Sequence, residues 1–184
     1  MADQSDAAAI ADIYNVGIAE RAATFETEPR TMEQIAERLL RLDRFPLLLA
    51  IDASGAVIGW TGLSEYSPRA CYSRIAEFSI YLRPEARGQG TGTLLLRSLI
   101  DLARAQGFWK LVSQVFPTNG ASRGLCRSCG FREVGTYERH GQLEGRWLDT
   151  VIVEKLLHQP GDTNRVRHDS WNSGNGGSHG RNYC

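Results

Sequence analysis

The segment RPEARGQGTGTLL, residues 83–95, sets glycines at alternate positions, Gly88, Gly90 and Gly92. The apolar run IAEFSIYL (75–82) precedes it and reads as a strand; Leu95, Leu99 and Leu102 follow at helical spacing. A glycine loop between strand and helix aims backbone N–H groups outward at the positive end of a helix dipole. Such a place suits a phosphate or pyrophosphate. The plainer alternative is a turn that needs positive φ, but three alternate glycines exceed that need. Two nucleotide-binding patterns fail on spacing. No Gly-Lys-Ser/Thr follows at the P-loop distance, and Thr93 stands where a dinucleotide fingerprint needs its third glycine.

Around this segment the chain alternates helical and strand patterns. Ile10, Ile13, Tyr14, Gly17 and Ile18 recur at helical spacing, with Ser5 and Asp6 as the expected cap. Thr31 and Gln34 form a capping-box pattern for a second helix reaching Leu40. Residues 47–51 and 56–63 read as antiparallel strands joined by the turn DASG. After the glycine segment, Gly107 stops a long helix, residues 109–116 form a strand, and residues 119–128 form a short helix. Strands at 131–138 and 147–157 complete the pattern. The expected class is therefore α+β, one sheet with helices against it, over residues 1–157.

Composition narrows the function. The 184 residues suffice for one domain, and the formal net charge is zero, which excludes a whole-molecule field for nucleic acid or an anionic membrane. No run approaches the ~20 apolar residues of a membrane span, and the first ten residues lack a signal-peptide pattern. These features predict a cytoplasmic protein without nucleic-acid or membrane partners. Cys126 and Cys129 form a lone CxxC that ends a helical pattern, without a second ligand pair for zinc. They read as packing thiols, and no metal is expected. Residues 158–184, rich in Gly, Asn, Ser and charge, are predicted to be a disordered tail.

Arg87-Gly88-Gln89-Gly90-Thr91-Gly92 matches the Gln/Arg-x-x-Gly-x-Gly/Ala motif of the GNAT family of N-acetyltransferases. Asn119, Ser122 and Leu125, followed by Gly130-Phe131, resemble a second motif of that family. IYNVGIAERAATFETEPRT (13–31), Arg69-x-x-Tyr72, Glu77 and the run from Gly141 through Trp147 to Asp149 resemble the phosphinothricin acetyltransferase branch. The resemblance implies a mostly antiparallel central sheet flanked by helices. This chain starts at the family's first helix, so the edge strand that usually precedes it is expected either to be dispensable or to lie upstream of Met1. It also implies acetyl-CoA as co-substrate and a homodimer. The implied reaction is acetylation of the α-amine of phosphinothricin, arsinothricin, methionine sulfone or sulfoximine, conferring resistance by detoxification.

Residue roles carry over by position. Glu77 is the implied general base, with a strand-face carboxylate as the plainer reading. The backbone of Ile80, Tyr81 and Leu82 would pair with the pantetheine arm. Arg87 through Thr93 would meet the pyrophosphate, with Asn119 and Ser122 nearby. Asn119 is equally a sound helix cap. Arg69 would contact the acceptor through its planar fork, with Arg74 as a second candidate. Phe25 would line the acceptor pocket or anchor the core, and Tyr72 would supply an oxygen contact or simply pack. Glu144, which departs from the close relatives, would meet the acceptor ammonium or be a solvated loop acid. Cys126 stands where many family members carry a tyrosine, and Leu143-Glu144 replaces a Lys-His pair of close relatives. Two other readings stay open: a protein or peptide N-acetyltransferase on the same fold, and a non-catalytic acyl-CoA sensor.

Overall fold

A computed structural model describes residues 1–157; the tail assigned to 158–184 lies outside the described residues. The chain forms helices α1 (Ala7–Ala19) and α2 (Met32–Leu39), strands β1 (Leu47–Ile51), β2 (Val57–Glu65) and β3 (Ile75–Leu82), then helix α3 (Thr91–Ala105). Strand β4 (Lys110–Val115), helix α4 (Gly120–Ser128) and strands β5 (Arg132–Leu143) and β6 (Arg146–Leu156) follow. The six strands form one sheet in the order β1-β2-β3-β4-β6-β5. Every neighbouring pair is antiparallel except β3 with β4. The α+β expectation therefore holds.

Strand alternation distributes the core over two faces. Leu47 and Trp60 pack with Ile10, Ile13, Ile35 and Leu39 of α1 and α2. Leu63, Ala76, Phe78 and Leu111 pack on the opposite face with Leu96 and Leu99 of α3 and Cys126 of α4. Because Ala76 and Phe78 face α3, the intervening Glu77 faces the α1 side, as do Ser79 and Tyr81. Tyr81 confirms the register by packing edge-on to Tyr14 of α1, ring centres 4.7 Å apart.

Three local expectations need correction or extension. Asp6 does occupy the cap position of the first helix, but its side chain makes no capping bond there. A 3-10 turn (Gln4–Asp6) precedes α1, and Asp3 caps that turn, accepting the Ser5 N–H at 2.8 Å. The Asp6 carboxylate accepts the Asp3 N–H in return. Strand β5 runs further than its pattern suggested, to Leu143, while β6 lies one residue earlier than expected, and the two meet in a two-residue turn at Glu144 and Gly145. Both have positive φ, 49° and 79°, as a tight hairpin requires. Strand β1 is a sheet edge, where the chain's start adds one backbone hydrogen bond, Ala2 N–H to Leu47 C=O.

Candidate active site

The parallel pair β3 and β4 stays together only briefly. Ile75, Ala76 and Glu77 pair with Lys110, Leu111 and Val112, and the recorded pairing then stops. β3 continues beside β2 as far as Leu82, and β4 continues beside β6 as far as Val115. Residues 78–82 and 113–115 thus present backbone edges to each other across a gap. A cavity of about 420 Å³ occupies it. Glu77, Ser79, Ile80 and Tyr81 line one wall, and Ser113, Gln114 and Phe116 another. The loop after α1 contributes Thr24, Phe25 and Glu26, and the start of α4 contributes Asn119, Ser122 and Cys126.

Beyond the end of β3 lies the glycine segment. Gly88 and Gly90 have φ of 72° and 86°, which glycine adopts without the penalty a side chain brings. Gly90 caps α3 without any side-chain bond. The Leu94 N–H bonds to the Gly90 C=O at 3.1 Å, so the amides before it lack acceptors inside the helix. Gly92 has a different reason. A Cβ there would lie 3.3 Å from Leu125 Cδ2 and 3.4 Å from Leu82 Cδ1, so its bareness serves packing. Gln89 donates to the Glu85 C=O at 2.6 Å.

Glu77 sits at the closed end of the gap, half-buried, and burial alone pushes its carboxyl above the usual carboxylate range. Its direction answers the chemistry, since a base for an ammonium group works best with its pKa moved towards neutrality. Glu26 has the opposite environment. Arg30 grips it with two bonds of 2.6 Å, which holds its carboxyl below the usual range. Burial pushes the Tyr14 and Tyr81 hydroxyls up. Cys126 and Cys129 are buried free thiols, and burial raises Cys126 to about 12. Among the described residues, no cluster of three or more metal-capable side chains forms.

The residues singled out for the acceptor divide. Phe25 lines the cavity, edge-on to Phe116 at 4.8 Å between ring centres. Arg69 is exposed, just ahead of the helical turn Ala70–Tyr72, and does not line the cavity. Tyr72 packs against Tyr66 at 5.6 Å. Arg74 borders a separate depression with Asp43 and Arg44, at the other end of β3 and β4. Glu144 stands in the hairpin turn and pairs with Arg21 at 2.9 Å. Asn119 is the cap of α4, accepting the Ser122 N–H at 3.0 Å.

Sequence reasoning missed Tyr14, Glu26, Ser113, Gln114 and Thr150, which also line the cavity. Tyr14 was visible only as one residue of a helical stripe. Gly141 was also missed as a packing residue. A Cβ there would fall 2.9 Å from both Cε1 and Cζ of Phe25. Gly141→Ala should therefore displace Phe25 and destabilise the fold by about 1 kcal/mol. Thermal melts and steady-state kinetics check this: the acceptor KM should rise while the acetyl-CoA KM stays.

The site is thus a bare-edged gap between diverging parallel strands, with a glycine-capped helix beyond the end of β3. The model of the acetyltransferase (GNAT) family matches residues 11–131. The L-methionine sulfoximine/L-methionine sulfone acetyltransferase of Pseudomonas aeruginosa is 36% identical over 77% of this chain and 76% of its own. A phosphinothricin acetyltransferase from Sinorhizobium meliloti, solved in complex with acetyl-CoA, superposes with a TM-score of 0.80. It is 34% identical over 84% of this chain and 85% of that one. A ribosomal-protein-alanine N-acetyltransferase from Brucella melitensis also has a TM-score of 0.80, at 33% identity, covering 84% and 96%. The chain belongs to the GNAT acetyltransferase family and is an acetyltransferase.

Proposed function

We propose that the protein transfers the acetyl group of acetyl-CoA to the α-amine of a small amino-acid analogue of the phosphinothricin, arsinothricin or methionine sulfone type. The observation that carries this reading is Glu77, half-buried at the root of the gap between β3 and β4. The backbone at Ile80, Tyr81 and Leu82 takes the pantetheine arm as an added strand. Amides of residues 88–93 take the pyrophosphate. Glu77 accepts a proton from the ammonium, directly or through water, and the freed nitrogen attacks the thioester carbon. A backbone N–H of β3 meets the oxyanion. The C–S bond then breaks, the attacking nitrogen gives up its second proton, and the thiolate takes up that proton directly or through water. Cys126, held protonated by burial, can offer its S–H beside the leaving sulfur but is a weak acid for it. In this reading the enzyme detoxifies such analogues in the cytoplasm as a homodimer.

Purified protein, acetyl-CoA, a thiol reporter and a panel of L-phosphinothricin, L-methionine sulfone and L-methionine sulfoximine test the reading. Acetyl-CoA-dependent thiol release with at least one of them supports it. Release with none of them overturns it.

A second reading, acetylation of a peptide N-terminus, draws on one observation. The cavity lining includes the carboxylates Glu26 and Glu77 and, among the described residues, neither lysine nor arginine. An anionic substrate tail must then be met from outside this lining, and the exposed Arg69 is the proposed partner. Arg69→Lys keeps the charge and loses the planar fork. For so exposed a contact, the KM for phosphinothricin should rise about three- to tenfold, and that for the neutral sulfone less. Equal rises would mean that Arg69 holds the shared α-carboxylate. No rise, together with turnover of an alanine-led peptide, would favour the peptide reading.

A further inference from the structure

Arg87 opens the glycine motif, and its guanidinium is the expected partner of a pyrophosphate. The structure gives that guanidinium other partners. Nη1 and Nη2 donate to the two carboxylate oxygens of Glu20, at 2.9 and 3.0 Å. Nε and Nη2 donate to the Leu82 C=O, at 3.2 and 3.0 Å. Glu20 closes α1 and begins the loop that carries Thr24, Phe25 and Glu26 into the cavity. The second motif does the same. Asn119 donates from Nδ2 to the Ala22 C=O of this loop at 3.1 Å, beside its capping bond to Ser122. Arg21 fastens the loop from a third side, donating to the Ile18 C=O at 2.6 Å, the Thr27 C=O at 3.3 Å and Glu144 at 2.9 Å.

We propose that Arg87 is a positioning residue for the acceptor loop: it ties the segment from Glu20 to Glu26 to the end of β3, while Asn119 ties the same segment to the start of α4. The pyrophosphate is left to the backbone amides of residues 88–93. A guanidinium offers five N–H donors in one rigid plane. Here one edge of that plane meets a carboxylate and another a main-chain carbonyl, so turning it towards a phosphate would break a two-point ion pair. The positive φ of Gly88 and Gly90 equips the backbone to receive the anion without it. Two residues that the sequence assigns to the cofactor thus shape the wall that meets the acceptor. This inference rests on the acetyl-CoA reading of the gap.

The test uses Glu20→Gln, which keeps shape and loses charge, Arg87→Gln, and the double variant of the full-length protein. For each single variant the KM for L-methionine sulfone should rise about three- to fivefold, the scale of an exposed ion pair. The double variant should show no further rise, because one interaction has been removed twice. Acetyl-CoA affinity by calorimetry should stay within about twofold for both singles. Hydrogen exchange of amides 21–30 should quicken in the same variants. An unmoved acceptor KM in Glu20→Gln overturns the proposal. So does a loss of acetyl-CoA affinity of about tenfold in Arg87→Gln with the acceptor KM unchanged, which would make the guanidinium a pyrophosphate ligand. If methionine sulfone is not turned over, or Arg87→Gln does not fold, exchange in Glu20→Gln decides, and unchanged exchange overturns it. Failure of the cofactor reading is separate: the wild-type protein would then show no saturable acetyl-CoA binding.

Discussion

Glu77→Gln is expected to lower kcat by about 10²-fold or more, the scale of a lost general base, while acetyl-CoA binding stays intact. The amide keeps the carboxylate's shape and loses its capacity to take a proton. Burial raises the Glu77 carboxyl, so the wild-type kcat/KM should climb with pH through a limb above the ordinary carboxylate range. That limb should vanish in the variant. Stability runs the other way. The folded state holds the Glu77 proton more tightly than the unfolded chain, so stability from this group falls as pH rises from the unfolded towards the folded pKa. At neutral pH the ionised carboxylate is a net cost, and Glu77→Gln should melt no lower than wild type. Near-normal turnover of the variant from about pH 6 to about pH 9 would leave Glu77 a strand-face residue without a role in proton transfer.

Gly90→Val should weaken acetyl-CoA binding by about ten- to a hundredfold, with the sheet intact. Space is not the reason, since an added Cβ at Gly90 meets nothing within 4 Å. The reason is the φ of 86°, which a β-branched residue adopts only under strain of about 1–3 kcal/mol. Relief of that strain would rotate the peptide at the start of α3 and turn its amides away from the anion. Calorimetry with acetyl-CoA reads the loss, and circular dichroism checks the fold. Unchanged affinity would remove the pyrophosphate from this loop. Gly92 offers a control by contrast, because an added Cβ there would press tightly on Leu125 and Leu82 and should act on packing first.

These two positions mark what local sequence encodes well. A left-handed glycine before a helix, an asparagine cap at Asn119 and a carboxylate between two apolar strand residues each carry their reason within a few neighbours. The same holds for the capping box of Thr31 and Gln34, whose two reciprocal bonds are present at 3.0 and 3.3 Å. The long β5–β6 hairpin was harder to read. Most of β5 is exposed on both faces, so its polar residues give no two-residue alternation, and its turn is Glu-Gly rather than Asn-Gly. The cavity wall was harder still. Tyr14, Glu26, Gln114 and Thr150 come from four separate elements, and their meeting depends on where β3 and β4 part. Arg69, Tyr72, Arg74 and Glu144 were chosen by resemblance to, or departure from, a family pattern, which fixes a place along the chain. The fold sets Arg69 and Tyr72 at an exposed turn ahead of β3, Arg74 in a separate depression and Glu144 in a hairpin turn. Arg87 shows the same limit from the other direction, since its motif says nothing of Glu20, which lies on α1.

A crystal structure of the protein with CoA and L-methionine sulfone tests the account most directly. It should place the pyrophosphate on the amides of residues 88–93 and the pantetheine arm along Ile80 to Leu82. The acceptor nitrogen should lie within hydrogen-bond reach of the Glu77 carboxylate, directly or through one water. An acceptor nitrogen facing a different base, or an acceptor bound outside the gap between β3 and β4, would contradict it.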